Sequence, residues 1–187
     1  MFNIRSLSGA IVLIATATLV PVSRVGAVDE GVYDAAGKYA GAYLCIPEAA
    51  GGVRFEAQSK QWMGAIFNTD KGTFVLQVAK QDDTTINMYG TVEGATAYRV
   101  TLRKPGVRAS QWCQPLEPIL GMVDDAHAKS VFINSGDFSC SPGFENYQFN
   151  LDKLRFVTVA DEGYVNGQDN EQTGTPSITV GKCTKID

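Results

Sequence analysis

Four cysteines, one histidine and a short acidic loop are the residues of this 187-residue chain best suited to chemistry. Cys45, Cys113, Cys140 and Cys183 stand 68, 27 and 43 positions apart. Zinc sites built on cysteine usually place ligands about two to four residues apart, so this spacing predicts two disulfides in an oxidising compartment instead. His127 is the only histidine, which excludes a His-rich metal site. It also leaves a single imidazole base for any Ser-His-Asp triad, and no Gly-x-Ser-x-Gly turn accompanies it. With all four thiols paired, a cysteine nucleophile is not expected either.

Oxygen ligands gather in residues 163–175, where Asn166, Asp169, Asn170 and Glu171 lie close together. Calcium takes about six to eight such oxygens, and these four are the candidate ligands. The loop lacks the Asp-first order of an EF-hand, so a flexible or binding loop is the competing expectation. A glycosidase needs only two carboxyl groups about 5–10 Å apart. The pairs Asp82-Asp83 and Asp124-Asp125 are adjacent in sequence, but strand neighbours point to opposite faces, and the expectation is solvated turn and helix-end charge. Tyr39, Tyr43, Trp62, Tyr89, Trp112 and Tyr164 could line an apolar pocket or stack on sugar rings, with Trp62, Trp112 and Tyr164 the first candidates for ligand binding. Neither a Walker loop nor a strand-linked Gly-x-Gly-x-x-Gly is present, so no cofactor is expected.

Residues Met1–Ala27 read as a signal peptide: Arg5, an apolar run from Leu7 to Val20, Pro21, then Val25-Gly26-Ala27 before the cut. The run is too short to span a bilayer, and no transmembrane segment is expected in the mature chain, residues 28–187. Cleavage leaves 14 basic against 20 acidic residues, a poor balance for a phosphate backbone, so nucleic acid is not an expected partner. At 44% hydrophobic and 19% charged, the composition supports one packed domain.

Apolar and polar residues alternate with the two-residue period of strands. Tyr98, Val100 and Leu102 share one face of Thr96–Arg103; Ile86, Met88 and Val92 share one face of Thr85–Glu93. Pairing these two segments with apolar faces matched predicts an odd-length loop at Gly94–Thr96, or a bulge with the same effect. Further strands are expected at residues 43–47, 53–57, 62–67, 73–80, 131–134, 138–140, 147–151, 154–159 and 177–183. Leu116, Ile119, Leu120 and Val123 recur at helical spacing and predict one short helix within Leu116–Lys129, with His127 on its surface. The fold class expected is mainly β: a single antiparallel β-barrel or β-sandwich of about nine strands with one short helix.

A weak repeat spans residues 43–113 and 138–183. Cys45-Ile46-Pro47 precedes Phe55 and, seven positions on, Trp62; Cys140-Ser141-Pro142 precedes Phe149 and, seven positions on, Phe156. If each half closes on itself, Cys45–Cys113 and Cys140–Cys183 are the favoured bridges. A closed barrel that brings its first and last strands together would join Cys45 to Cys183 instead.

The chain resembles a family of exported alphaproteobacterial proteins of unknown function. The resemblance is carried by Lys60-Gln-Trp-Met-Gly-Ala-Ile-Phe67, by Phe149-Asn-Leu-Asp-Lys-Leu-Arg-Phe156, and by Gly163-Tyr-Val-Asn-Gly167 leading to Thr175-Pro-Ser-Ile-Thr-Val-Gly-Lys-Cys-Thr-Lys-Ile186. It implies export and shared cysteines but no activity. Lipocalins carry Gly-x-Trp on an early strand, whereas Trp62-Met63-Gly64 runs in the reverse order. The expected function is a non-enzymatic binding or interaction protein, periplasmic or secreted, whose barrel interior or loops take a small apolar ligand, a glycan or an envelope protein. A carboxylate-dependent hydrolase of envelope or extracellular glycans, and an inhibitor or envelope-structural protein, are the alternatives.

Overall fold

Alternating side chains and turn-rich breaks give an antiparallel β architecture. The computed structural model describes residues 33–116, 122–161, 164, 167, 169 and 174–187; the leader read at Met1–Ala27 lies outside them. Ten strands follow in order: β1 (Gly41–Glu56), β2 (Gln61–Ile66), β3 (Phe74–Met88), β4 (Thr91–Arg103), β5 (Gln111–Trp112), β6 (Gln114–Pro115), β7 (Asp137–Ser141), β8 (Glu145–Asn150), β9 (Arg155–Ala160) and β10 (Ser177–Lys185). They form one sheet in the order β5-β4-β3-β1-β10-β9-β8-β7-β6, with β2 beside β1. The sheet is not closed into a barrel: its ends, β5 and β6, are separated in sequence by Cys113 alone yet share no ladder. No helix among the described residues is long and apolar enough to cross a membrane.

The sheet curls over a single large core. Phe74 of β3 meets Tyr147 and Phe149 of β8 and Phe156 of β9 at ring separations of 5.6, 6.2 and 5.1 Å. Leu76, Val78, Tyr98, Val100 and Leu102 complete the packing from β3 and β4. A smaller cluster, Ile86, Ala95, Ala97 and Phe132, packs with Met122 and Val123. The two clusters lie on opposite faces of the β3–β4 ribbon because Gln81 is an extra residue between Lys80↔Tyr98 and Asp82↔Ala97.

That ribbon corrects the hairpin expectation. Gly94–Thr96 is not a loop; it lies inside β4, opposite Asp83–Thr85. The turn is Tyr89-Gly90, with φ of 51° and 90°, the mirror-image turn whose twist matches its flanking strands. The face change that the apolar pattern demands is supplied by the bulge at Gln81. The helix expected in Leu116–Lys129 also needs correction. Residues 117–121 lie outside the described residues, and 122–130 carries no α-helix. Met122 is drawn to β3, its carbonyl accepting from Asn87 N–H at 2.8 Å, while Asp124 Oδ1 accepts from His127 N–H at 3.0 Å. A short polar side chain that caps its own backbone favours a turn over a helix.

Both bridges differ from the favoured pairing. Cys45 bonds Cys183, and Cys113 bonds Cys140. The reason is topological: the halves do not close separately, because β10 runs beside β1 and puts Cys45 directly opposite Cys183. Cys113 adjoins β6, whose Pro115 pairs with Cys140. The aromatic pairs of the repeat nonetheless occupy equivalent places. Phe55↔Trp62 and Phe149↔Phe156 are cross-strand partners, each across a four-residue turn that ends in a left-handed residue, Lys60 or Leu154 (φ 54° in both).

The bridges span 138 and 27 residues, so chain entropy ranks them at about 5 and about 3.5 kcal/mol. Replacing Cys45 and Cys183 together by alanine is expected to lower unfolding free energy by about 1.5 kcal/mol more than replacing Cys113 and Cys140, read by urea denaturation. At the hairpin, Gly90→Ala is expected to cost about 1 kcal/mol. Tyr89→Asn, at a side chain fully open to solvent, is expected to raise the thermal midpoint.

Candidate functional site

The candidate site follows from one extra residue in β1. Tyr43, Cys45 and Pro47 face the core, and β10 matches them with Lys185, Cys183 and Gly181. Glu48 then has no partner, the register resuming at Ala49↔Val180. Strict alternation would have carried Val53 and Phe55 inward; the bulge turns them outward and puts Arg54 and Glu56 on the core-side face. Glu48 itself is held by Lys182 and by Arg155 Nη1 at 3.1 Å.

As a result the outer face of β2-β1-β10-β9 is apolar. One row runs Ile66, Gly51, Ile178, Val159, and the next runs Ala49, Val180, Val157. Ile66 is 95% exposed and Ile178 55%, so these side chains are unburied by any described part of the chain. Where β9 ends and β10 begins, Gly51, Val53, Val159, Ala160, Pro176 and Ile178 line an apolar groove of about 560 Å³. Gly52 permits its floor to close, since a Cβ there would lie 2.1 Å from the Pro176 carbonyl oxygen.

Beside the groove stands an aromatic corner. Trp62 contacts Phe55 edge-on at 5.7 Å and Tyr164 edge-on at 5.3 Å, and its indole Nε1–H donates to Asp169 Oδ1 at 2.7 Å. The indole thus has its one polar atom satisfied while its carbon surface stays at the border with solvent. Trp62 and Tyr164, two of the three candidate ligand residues, are brought together. Trp112 is elsewhere, on β5 at the end of the sheet, with the Arg99 guanidinium 5.3 Å over its ring. Tyr39 and Tyr43 are core residues, and Tyr89 sits at a hairpin tip. Of the candidate calcium ligands, Asn166, Asn170 and Glu171 lie outside the described residues; Asp169 is engaged by Trp62. Among the described residues no group of three acidic, His or Cys side chains gathers as a metal site.

Several carboxylates elsewhere, Asp124, Asp83 and Glu48 among them, are paired with cations. His127 belongs to a turn rather than a helix surface, its side chain 15% exposed, with Nδ1 2.6 Å from Asp124 and Nε2 4.0 Å from Asp82. The His127 contact holds the Asp124 carboxyl below its ordinary range. Hydrogen bonds from Lys80 and Thr96 do the same for Asp83, and the Lys182 ammonium for Glu48. A glycosidase's general acid requires the opposite shift. Burial raises the Tyr98 and Tyr147 hydroxyls far above the phenolic range, with Asp34 and Glu145 as hydrogen-bond acceptors.

The groove residues Gly51, Gly52, Val53, Val159 and Ile178 carry no site signal in the sequence. The available sign was Phe156-Val-Thr-Val-Ala160, apolar on both faces where a half-exposed strand should alternate. Comparison with protein-family models, with curated proteins and with solved structures finds no match, so the site is read from its own chemistry.

One titration tests the His127 turn. Because the folded pKa of Asp124 is depressed, its contribution is complete above the unfolded value of 3.8 and is lost as pH falls through the lower folded value. Carboxyl carbon NMR is expected to give Asp124 a midpoint below 3.8, and His127→Ala to return it toward that value.

Proposed function

We propose that the chain is a non-enzymatic binding protein, exported to the periplasm or beyond, that takes an apolar ligand on its outer sheet face. The observation that carries this reading is the groove of about 560 Å³ between β1, β9 and β10, walled mainly by glycine, aliphatic side chains and proline, with Asp161 and Ser177 also in its lining, and flanked by Trp62. Ligand pockets commonly fall between about 300 and 1,000 Å³ and are lined mainly by apolar groups. A barrel interior is not the binding space, because the sheet is open and its concave side is filled by Phe74, Tyr147, Phe149 and Phe156. An acyl chain or similar hydrocarbon suits the groove better than a glycan, since sugars need several hydrogen-bonding groups around the aromatic platform and the Trp62 donor is already committed to Asp169. Removing about 200 Å² of apolar surface from water on binding is worth roughly 5 kcal/mol before ordering costs.

The test is displacement of anilinonaphthalene sulfonate by palmitate from the purified protein. Saturable probe fluorescence reversed by palmitate is expected, with a blue shift of Trp62 emission in a Trp112→Phe background. Ile178→Asp, at an exposed position, is expected to weaken binding at least about tenfold while leaving the unfolding midpoint unchanged. Equal probe binding by wild type and Ile178→Asp would sink the assignment. Binding to a glycan panel without any response to palmitate would move the ligand to the sugar class.

A further inference from the structure

β2 is an edge strand that no other described strand covers. Phe67 N–H donates to Ala50 O at 3.0 Å, and this bond sets the phase of the β1–β2 ladder. Residues 61, 63, 65 and 67 turn their main-chain groups toward β1, so Trp62, Gly64 and Ile66 turn theirs away. Among the described residues no other strand pairs with β2. The contrast with β3 is informative. Past Val78, where β1 ends its pairing, β3 also has an open side, but that stretch carries Lys80, a bulge at Gln81, and Asp82 and Asp83. Charges and bulges are the devices that keep sheet edges from joining. Gln61-Trp-Met-Gly-Ala-Ile66 has no charge, no proline and no bulge.

We propose that this edge pairs with the same edge of a second copy of the chain, antiparallel about a two-fold axis at Gly64, making one continuous sheet across the dimer. Six main-chain groups are open on each copy: the N–H and C=O of Trp62, Gly64 and Ile66. Centring on Gly64 sets Gly64 against Gly64, Trp62 of each copy against Ile66 of the other, Met63 against Ala65 and Gln61 against Phe67. All the open groups then find partners, and every opposed pair is uncharged. The Trp62–Ile66 pairs are the aromatic with β-branched combination that stabilises cross-strand neighbours. They fall on the outer face, so Ile66, the most exposed aliphatic residue of that face at 95%, gains a cover that its own chain does not give it. Isologous pairing of this kind closes after two copies and so does not propagate into a fibre. The inference stands on the edge and not on the ligand reading; the two share only Trp62 and Ile66.

Sedimentation velocity on the purified full chain, from low to high micromolar, tests it. The expected result is a reversible rise to twice the chain mass. A Cβ at Gly64 meets nothing within 4 Å among the described residues, so Gly64→Lys fits the single copy, yet in the dimer it sets two ammonium groups face to face across the axis. Its dimerisation is expected to weaken at least about tenfold, with circular dichroism and thermal midpoint unchanged. Gly64→Pro, which removes only an outward N–H, is expected to act alike. Ile178→Asp, off the edge, is expected to dimerise as wild type does, so loss of palmitate binding and loss of the dimer are separable failures. A wild-type chain that stays single throughout, including one that captures only foreign peptides, overturns the proposal. So does a dimer that survives Gly64→Lys or dissolves on Ile178→Asp.

Discussion

The pairing of β1 with β10 is the constraint on which the rest of the molecule hangs. It runs from Tyr43↔Lys185 to Gly52↔Ser177, joining segments more than a hundred residues apart. Remove it and the sheet falls into two parts, β3 to β5 with the β1–β2 hairpin, and β6 to β10, each with an apolar face uncovered. Phe74 makes the dependence concrete, since all its aromatic partners, Tyr147, Phe149 and Phe156, lie on the other side of that ladder. A closure so distant is expensive in chain entropy and slow to find. The Cys45–Cys183 bridge sits within the same ladder and acts on that term directly.

Within this frame two single-residue bulges decide what is core and what is surface. Gln81 sends Ile86, Ala95 and Ala97 to a second cluster instead of the main one. Glu48 sends Val53 and Phe55 outward. The second effect is clearest when the two aromatic hairpins are compared. Phe149 and Phe156 pair across one four-residue turn and are sealed in the core; Phe55 and Trp62 pair across a matching turn and lie half-buried on the outer face. The same local motif has opposite fates, and the difference is the odd residue upstream of it. Lys182 and Arg155 clamp Glu48 from β10 and β9, which keeps the bulge where it is.

The sequence was legible where local chemistry decides. Alternation located β1, β3, β4, β8, β9 and β10 near their true positions, and the cysteine spacing led to two bridges rather than a metal site. It misled where a long-range choice overrode a local one. The disulfide connectivity depends on which strands become neighbours, and neither cysteine spacing nor the weak repeat contains that. The Tyr89-Gly90 turn was hidden because tyrosine is not a usual left-handed residue, and an odd loop at Gly94–Thr96 matched the apolar faces of the two segments. The helical spacing of Leu116, Ile119, Leu120 and Val123 took no account of Met122 being claimed by β3 or of Asp124 capping its own turn. Of the proposed site, Trp62 and Tyr164 were candidates from residue type alone, and the structure places their rings in contact. The groove beside them was missed because its glycines and valines only become a surface once Glu48 has reversed the face.

The borders of that surface constrain what can use it. Toward β8 the apolar rows end in polar side chains, Val159 facing Asn146 and Val157 facing Gln148. Along the strands they end at the charged row of Lys182 and Arg155 with Glu48. A hydrocarbon crossing that row would have to strip water from a knot of three charges, at a cost no apolar contact of similar area offsets. On the two remaining sides the limits differ in kind. The aromatic corner of Phe55, Trp62 and Tyr164 is largely ring surface with its indole donor occupied, whereas the edge of β2 offers six main-chain groups that no described strand pairs. A free hydrocarbon gains nothing from those groups and is directed to the groove; a strand needs them and is directed to the edge. The two proposals thereby assign two kinds of partner to one face, through the placement of backbone hydrogen-bonding capacity and not through any difference in its side chains.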